Sequence, residues 1–503
     1  MASERHYSRA RFQRALKAFL LGRFAQAAAF FTLTLLLVRF FAPDDYGYYM
    51  TVWGLVELAT PLTSLGLLEA VRRFVPELAA HGSAIGLRQF VWRVRLYRLL
   101  FVAIAAVVIW VLWQALATYL GITSTQMVSP ALIALAIACV VTARFSCEIL
   151  EALLEQRWSQ TANALQPLIR LSGFYLLVQD ESLTVSAMLS IDIGAALLSL
   201  FIAEIGLARR MRSAADQGNA VVSNGHLFAF ARDFAMTNVL VTISGIGAQR
   251  LLVARLGGSD AVAVFSFLQQ LVISIERYMP AQLLASVIRP MLVARYAQGE
   301  LETVSKGIAL MWKSNWIIVI GCLVVLATYG DGIVEFLSGG QFDEAGLLAF
   351  VVFLGLAANC QNLVLTMTLL IYGQSQAVRN QSLLFAAVPL MAIVGSAYGV
   401  VGVLAGIVSV LWLRNAYGVF RLRHLGIRAK FDYYGLARIL VAGIATSAIT
   451  FSVLPAGPER LISAVIFSVL ILLARPLSVG DVDLATLVAK PLGKYFRWLS
   501  VRT

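Results

Sequence analysis

Apolar residues run along this chain in long unbroken blocks, and polar residues gather in short clusters between them. The blocks do not alternate apolar with polar, so they predict helices rather than strands. A helix that crosses a bilayer needs about 20 such residues, and its backbone must satisfy its own hydrogen bonds there. Spans are predicted at 16–41, 46–69, 98–118, 128–152, 161–179, 184–207, 230–256, 261–285, 308–329, 345–371, 380–398, 400–420, 436–455 and 458–475. Only Gly395, Ser396, Tyr398, Gly399 and Gly402 mark the turn that divides 380–420. The expected fold is all-α, a polytopic membrane protein of about 14 transmembrane helices.

Composition leaves no room for a sizeable water-soluble domain: of 503 residues, 60% are hydrophobic and 13% charged, with a mean hydropathy of +0.81. A net charge of +13 would suggest nucleic acid in a soluble protein. Here it has a topological explanation, because Lys and Arg collect on cytoplasmic loops. With the N-terminus inside and the spans alternating, most Lys and Arg fall on inner segments, and the outer loops hold Arg460 alone. Those outer loops carry Asp44, Asp45, Asp180, Glu181, Asp260, Asp331, Glu335, Asp343, Glu344 and Glu459. Both termini are therefore expected in the cytoplasm, and no nucleic-acid partner is expected. The first apolar block follows a basic start but continues to Phe41, too long for a signal peptide, so it predicts an uncleaved helix. Cys139, Cys147, Cys322 and Cys360 lie in or beside apolar blocks without metal-ligand spacing and are expected to pack as small apolar residues.

The chain also repeats itself. At a constant offset of 216 residues, Arg39 meets Arg255, Asp44 meets Asp260 and Arg73 meets Arg289. Leu153-Leu154 with Ser159-Gln160 meets Leu369-Leu370 with Ser375-Gln376 at the same offset. A six-helix unit repeated once in the same orientation follows. The expected organisation is a six-helix bundle at 1–207, a cytoplasmic linker at 208–229, a second six-helix bundle at 230–424, and two extra helices with an interfacial tail at 425–503.

Ionisable residues inside spans are costly and normally face a bundle interior or a wet cavity. This chain places Arg23, Glu57, Arg144, Glu148, Arg170, Asp192, Glu204, Arg250, Glu276 and Arg277 there. Arginines suit phosphates, since the guanidinium stays charged and donates in a planar fork. Arg23, Arg144, Arg170, Arg250 and Arg277 are thus candidate anion-binding residues. Asn359 and Gln361, in a polar cluster on the tenth span, are candidate partners for sugar hydroxyls; hydrogen bonding between helices is the competing explanation. Buried carboxylates can take up and release protons, which makes Glu57, Asp192 and Glu276 candidate ion-coupling groups. Structural ion pairs and snorkelling account equally well for Arg23, Glu148 and Glu204.

No Walker A sequence and no zinc-type His or Cys spacing occurs, so neither ATP hydrolysis, a metal nor a cofactor is expected. The Arg-rich segment 70–98 and the tail carrying Lys490, Lys494, Arg497, Tyr495, Phe496 and Trp498 are expected at the inner interface.

Arg39, Pro43, Tyr46-Gly47, Gly66-Leu67 and Arg73, within residues 36–82, resemble the opening of the polysaccharide transporter family. These are the O-antigen-type oligosaccharide flippases of the multidrug/oligosaccharidyl-lipid/polysaccharide superfamily. The resemblance implies two bundles that open alternately to each side of a bacterial inner membrane. It implies a polyprenyl-diphosphate-linked oligosaccharide as substrate, flipped for surface polysaccharide synthesis without covalent chemistry. Membrane lipids, a polysaccharide polymerase and a chain-length regulator are the partners it brings. By the same resemblance, Arg23 and Arg277 match cavity arginines of the superfamily's first and eighth helices, whereas the second helix offers Glu57 instead. A drug/cation antiporter of the superfamily would want more acids in its cavity. A membrane polymerase or ligase would want a larger outer loop than 119–127 or 330–344.

Overall fold

The computed structural model describes residues 28–80, 84–120, 128–212, 222–282, 298–425 and 431–477, with isolated positions besides. A helical segment lies in every predicted span, and no β-strand occurs among the described residues. Eight described helices are long and apolar enough to cross a membrane, or nine with one bent pair counted as a single span. The remaining helical segments are shorter or more polar. The chain divides into two compact units, 1–266 and 267–503.

The first unit contains α1 (Ala28–Phe40), α2 (Pro43–Leu62), α3 (Leu67–Ala80), α4 (Ala84–Tyr119), α5 (Pro130–Ala152), α6 (Gln156–Gln179), α7 (Val185–Arg212) and α8 (Asn224–Ile243). It also holds the first part of α9 (Ile246–Glu276). Helix α5 is the hub, packed against α2, α3, α4, α6 and α7. The segment 70–98, expected at the inner interface, divides between two helices. Leu65 and Gly66 take positive φ (42° and 83°), the chain bends by 53°, and α3 follows as an amphipathic helix. Its Leu67, Val71, Phe74 and Leu78 join a core with Leu87, Phe90 and Val94 of α4, while Arg72 and Arg73 stay exposed. Residues 84–98 belong to the next helix. They are the opening turns of the 36-residue α4.

The seventh predicted span, 230–256, is a broken helix. Helix α8 stops at Ile243 and α9 starts at Ile246, with a turn at Ser244-Gly245. The Gln249 amide donates to the Ser244 carbonyl at 2.8 Å, satisfying a backbone group that the break exposes. The predicted boundary near Gly258 is a kink within α9 (φ 78°). The expected linker 208–229 shortens, because α7 runs to Arg212 and α8 begins at Asn224.

The second unit contains the rest of α9, then α10 (Leu301–Ser338), α11 (Gly346–Ile371), α12 (Ser375–Leu383), α13 (Ala387–Gly395), α14 (Gly399–His424), α15 (Tyr433–Val453) and α16 (Ser463–Ala474). Helix α11 packs on α10 and α14, and the last two helices pack on each other and on α10. Asp432 caps α15, accepting from the Gly435 amide at 2.9 Å and from the buried Lys313 ammonium of α10 at 2.9 Å.

Candidate functional site

In the first unit, the sequence-predicted charges meet as pairs. Arg170 of α6 donates through Nε to Asp192 of α7 at 2.6 Å, and through Nη2 to the Tyr49 hydroxyl at 2.6 Å. Tyr49 and Trp53, one turn apart on α2, both donate to the other Asp192 oxygen, at 2.8 and 3.1 Å. The Arg170 guanidinium also lies 4.7 Å from the Trp53 ring centre. Both charged side chains are buried, with relative exposures of 8% and 1%. Arg170 and Asp192, expected as an anion-binding arginine and a coupling acid, thus meet in one buried cluster with Tyr49 and Trp53.

Glu57 and Arg250 form the second pair at 2.9 Å. Helices α2 and α9 cross closely because Gly54 and Gly247 face each other there. A Cβ on Gly247 would fall 2.8 Å from the Leu58 amide nitrogen. Small residues at such crossings let backbones approach, and this one sets Glu57 against Arg250. Arg250 is fully buried, with Nε and Nη2 left without partners, while Glu57 retains partial exposure.

A cavity of about 350 Å³ opens in the same unit, walled by Arg98 of α4, Arg144 and Glu148 of α5, Thr60 and Ser64 beside the α2–α3 bend, and Asn163 of α6. Arg98 is 3% exposed. Its Nη2 donates to the Thr60 carbonyl at 2.7 Å, and its guanidinium stands 5.3 Å from the Phe145 ring centre. Nε and Nη1 have no partner. No carboxylate among the described residues forms an ion pair with it. Burying an unpaired charge is among the costlier arrangements in a protein, so Arg98, with two buried donors unused behind the cavity wall, is the candidate anion-binding residue. Arg144 reaches the same wall and stands 5.7 Å from the Trp53 ring centre. The cavity's acids are engaged elsewhere. Glu69 and Glu148 bind Arg72 at 3.0 and 3.1 Å, and Glu151 accepts from Gln160 at 3.2 Å. Glu204, buried in sequence terms, pairs with Arg95 at 2.6 Å.

The other predicted residues are dispersed. Glu276 and Arg277 stand at the C-terminal end of α9, half-buried. Asn359 is half-buried on α11, and Gln361 accepts from the indoles of Trp312 and Trp316. Arg23 and the aromatic tail at 490–498 lie outside the described residues. Among the described residues, no group of three His, Cys, Asp or Glu side chains stands ready to hold a metal. Sequence reasoning passed over Arg98, because it placed the residue at a helix mouth. By helical rise it sits roughly 21 Å into α4. The available signal was its spacing from Arg95 and Arg88, which continues one charged row into the apolar block.

No protein-family model and no curated protein sequence matches the chain. Solved structures do. The lipid II flippase MurJ, in an inward closed conformation, matches with a TM-score of 0.70 at 13% identity, over 94% of this chain and 99% of that one. An inward-facing multidrug resistance MATE family transporter of the MOP superfamily matches with a TM-score of 0.58 at 13% identity, over 80% and 96%. An outward-facing MATE family transporter matches with 0.55 at 12% identity, over 84% and 98%. The chain has the fold these transporters share.

Proposed function

We propose that this multi-pass protein flips a polyprenyl-diphosphate-linked oligosaccharide from the inner to the outer leaflet by alternating access. The fold supports a transporter, since it is shared with a lipid II flippase and with transporters seen both inward- and outward-facing. The observation that carries the choice of substrate is Arg98, a buried guanidinium that lines the cavity with two buried donors unused and no ion pair to a carboxylate among the described residues. A diphosphate would accept those donors in the planar geometry that guanidinium favours. Arg144 would add a second cation on the same wall. The isoprenoid tail stays in lipid while the charged head crosses between helices.

Arg250, paired with Glu57 and with two donors unused, would serve as a reserve cation. Arg170 and Asp192 brace the unit. The chain would work in a bacterial inner membrane with both termini cytoplasmic, supplying glycan to a surface polymer. A drug/cation antiporter is the second reading, favoured by Glu69, Glu148 and Glu151 on the same cavity.

Proteoliposomes carrying a polyprenyl-diphosphate disaccharide, probed with a membrane-impermeant lectin, separate the two. The expected result is protein-dependent leaflet crossing, slowed roughly ten- to a hundredfold by Arg98→Met, since a hydrogen bond to a charged group contributes about 1.5–3 kcal/mol. Crossing at the background rate, with proton-coupled efflux of an organic cation instead, would favour the antiporter.

A further inference from the structure

A second cavity, of about 490 Å³, lies within the second unit. Its walls are Trp312 and Trp316 of α10, Gln361 of α11, Trp412 and Asn415 of α14, and Tyr433 of α15. The indoles of Trp312 and Trp316, four residues apart on one helix face, meet edge to face with ring centres 6.5 Å apart. Trp412 lies 6.2 Å from Trp316 at an angle of 31°. Three tryptophans gathered at one opening exceed what interfacial anchoring of a single helix requires.

The polar groups among them are unevenly used. Gln361 takes both indole N–H groups on Oε1, at 3.2 Å from Trp316 and closer still from Trp312. That fixes which way the amide points and leaves its Nε2 hydrogens uncommitted among the described residues. Asn415, 3% exposed, donates from Nδ2 to the Ala358 carbonyl at 2.9 Å, and its Oδ1 has no donor. The pocket therefore presents aromatic faces and a spare amide donor, with the unpartnered Asn415 acceptor buried behind its wall.

Three kinds of occupant can be weighed against that lining. An organic cation would find aromatic faces but no carboxylate, and the pocket's one charged residue is Arg423. A hydrocarbon tail would cover both amides without bonding them, which costs free energy for each. A pyranose ring meets every requirement. Its C–H face is weakly positive and lies against the negative faces of aromatic rings, and each hydroxyl both donates and accepts.

We propose that this pocket is a carbohydrate subsite, seating one sugar ring against the tryptophans with a hydroxyl on the Gln361 amide. The proposal rests on the flippase function above and adds where the glycan, as distinct from its diphosphate, is recognised. It also predicts that sugar choice is set in the second unit.

The test is intrinsic tryptophan fluorescence of the full chain in nanodiscs, titrated with free disaccharides built from hexose, N-acetylhexosamine and 6-deoxyhexose units. At least one should quench saturably. Trp412→Leu, which removes a stacking face, should weaken that binding about tenfold. Gln361→Glu, which keeps an acceptor for both indoles but loses the amide donor, should do the same. No saturable quench across the set, unchanged affinity in both variants, or displacement of the disaccharide by farnesyl diphosphate would each overturn the subsite. A parallel thermal-shift titration with farnesyl diphosphate, which carries no sugar, separates the failures. If it still stabilises the wild-type protein, only the sugar subsite falls. If it does not, the flippase reading beneath it falls too.

Discussion

Arg98 and Arg170 are both buried arginines of the same unit, yet they are opposites. Arg170 is paired with Asp192 and bonded to Tyr49 beside the Trp53 ring, whereas Arg98 keeps two donors idle. Their variants should therefore behave differently. Asp192→Ala strands the Arg170 charge in the interior, a loss of about 3–5 kcal/mol, and should sharply reduce the yield of folded protein. Replacing both partners with apolar residues, Arg170→Met with Asp192→Leu, should recover much of that yield in size-exclusion profiles. A double variant no better than the single one would mean the pair does more than brace the unit. The sequence marked Arg170, Asp192, Glu57 and Arg250 as buried charges, because charge inside an apolar block is conspicuous. Their pairing was not legible. Glu57 and Arg250 are far apart in the chain, and no spacing rule joins α2 to α9. Arg98 was hidden for the opposite reason, since it sits at the edge of an apolar block whose helix begins well before the apolar residues do.

Helix ends and helix crossings hold the next tier of information. Asp432 is partly buried, which opposes ionisation, but the Gly435 amide and the Lys313 ammonium more than offset this and hold its carboxyl below the ordinary 3.8. A carboxyl whose folded pKa is depressed adds stability that is complete above the unfolded value and fades as pH falls through the folded one. The thermal midpoint of the wild-type protein should therefore drop more steeply below about pH 4 than that of Asp432→Asn. Parallel curves would show that the α15 cap carries no such linkage. At the α2–α9 crossing, Gly247→Leu drives a side chain into the backbone of α2 and should cost at least about 1–3 kcal/mol, visible as a lower melting temperature. An unchanged melting temperature would mean that the crossing is not tight. Apolar blocks predicted where helices lie, but not their breaks. The Ser244-Gly245 turn sits inside an apolar run and is sustained by Gln249, a contact that hydropathy does not encode.

At the scale of the whole molecule, the all-helical fold was legible because lipid permits so few backbones. The register of the expected repeat was not legible. The turn after α5 bonds Leu153, Leu154 and Glu155 N–H groups to the carbonyls of Ile149, Glu151 and Leu150. The turn after α11 bonds Tyr372, Gly373 and Gln374 to Thr368, Leu370 and Leu369 in the same pattern, with Leu154 and Gly373 both at positive φ. These turns are 219 residues apart, so the pairing of Leu153-Leu154 with Leu369-Leu370 at 216 is a coincidence nearly one helical turn out of place. Apolar sequence tolerates such slips because leucine matches leucine almost anywhere. Backbone geometry does not. What the fold leaves open is the cargo, and that turns on one guanidinium. The most direct measurement is the melting temperature of the purified protein, wild type and Arg98→Met, with and without farnesyl diphosphate. Arg98→Met should melt no lower than wild type, because it removes an unpaired buried charge, and should lose the ligand-induced rise that wild type displays. An equal rise in both proteins would contradict the anion site.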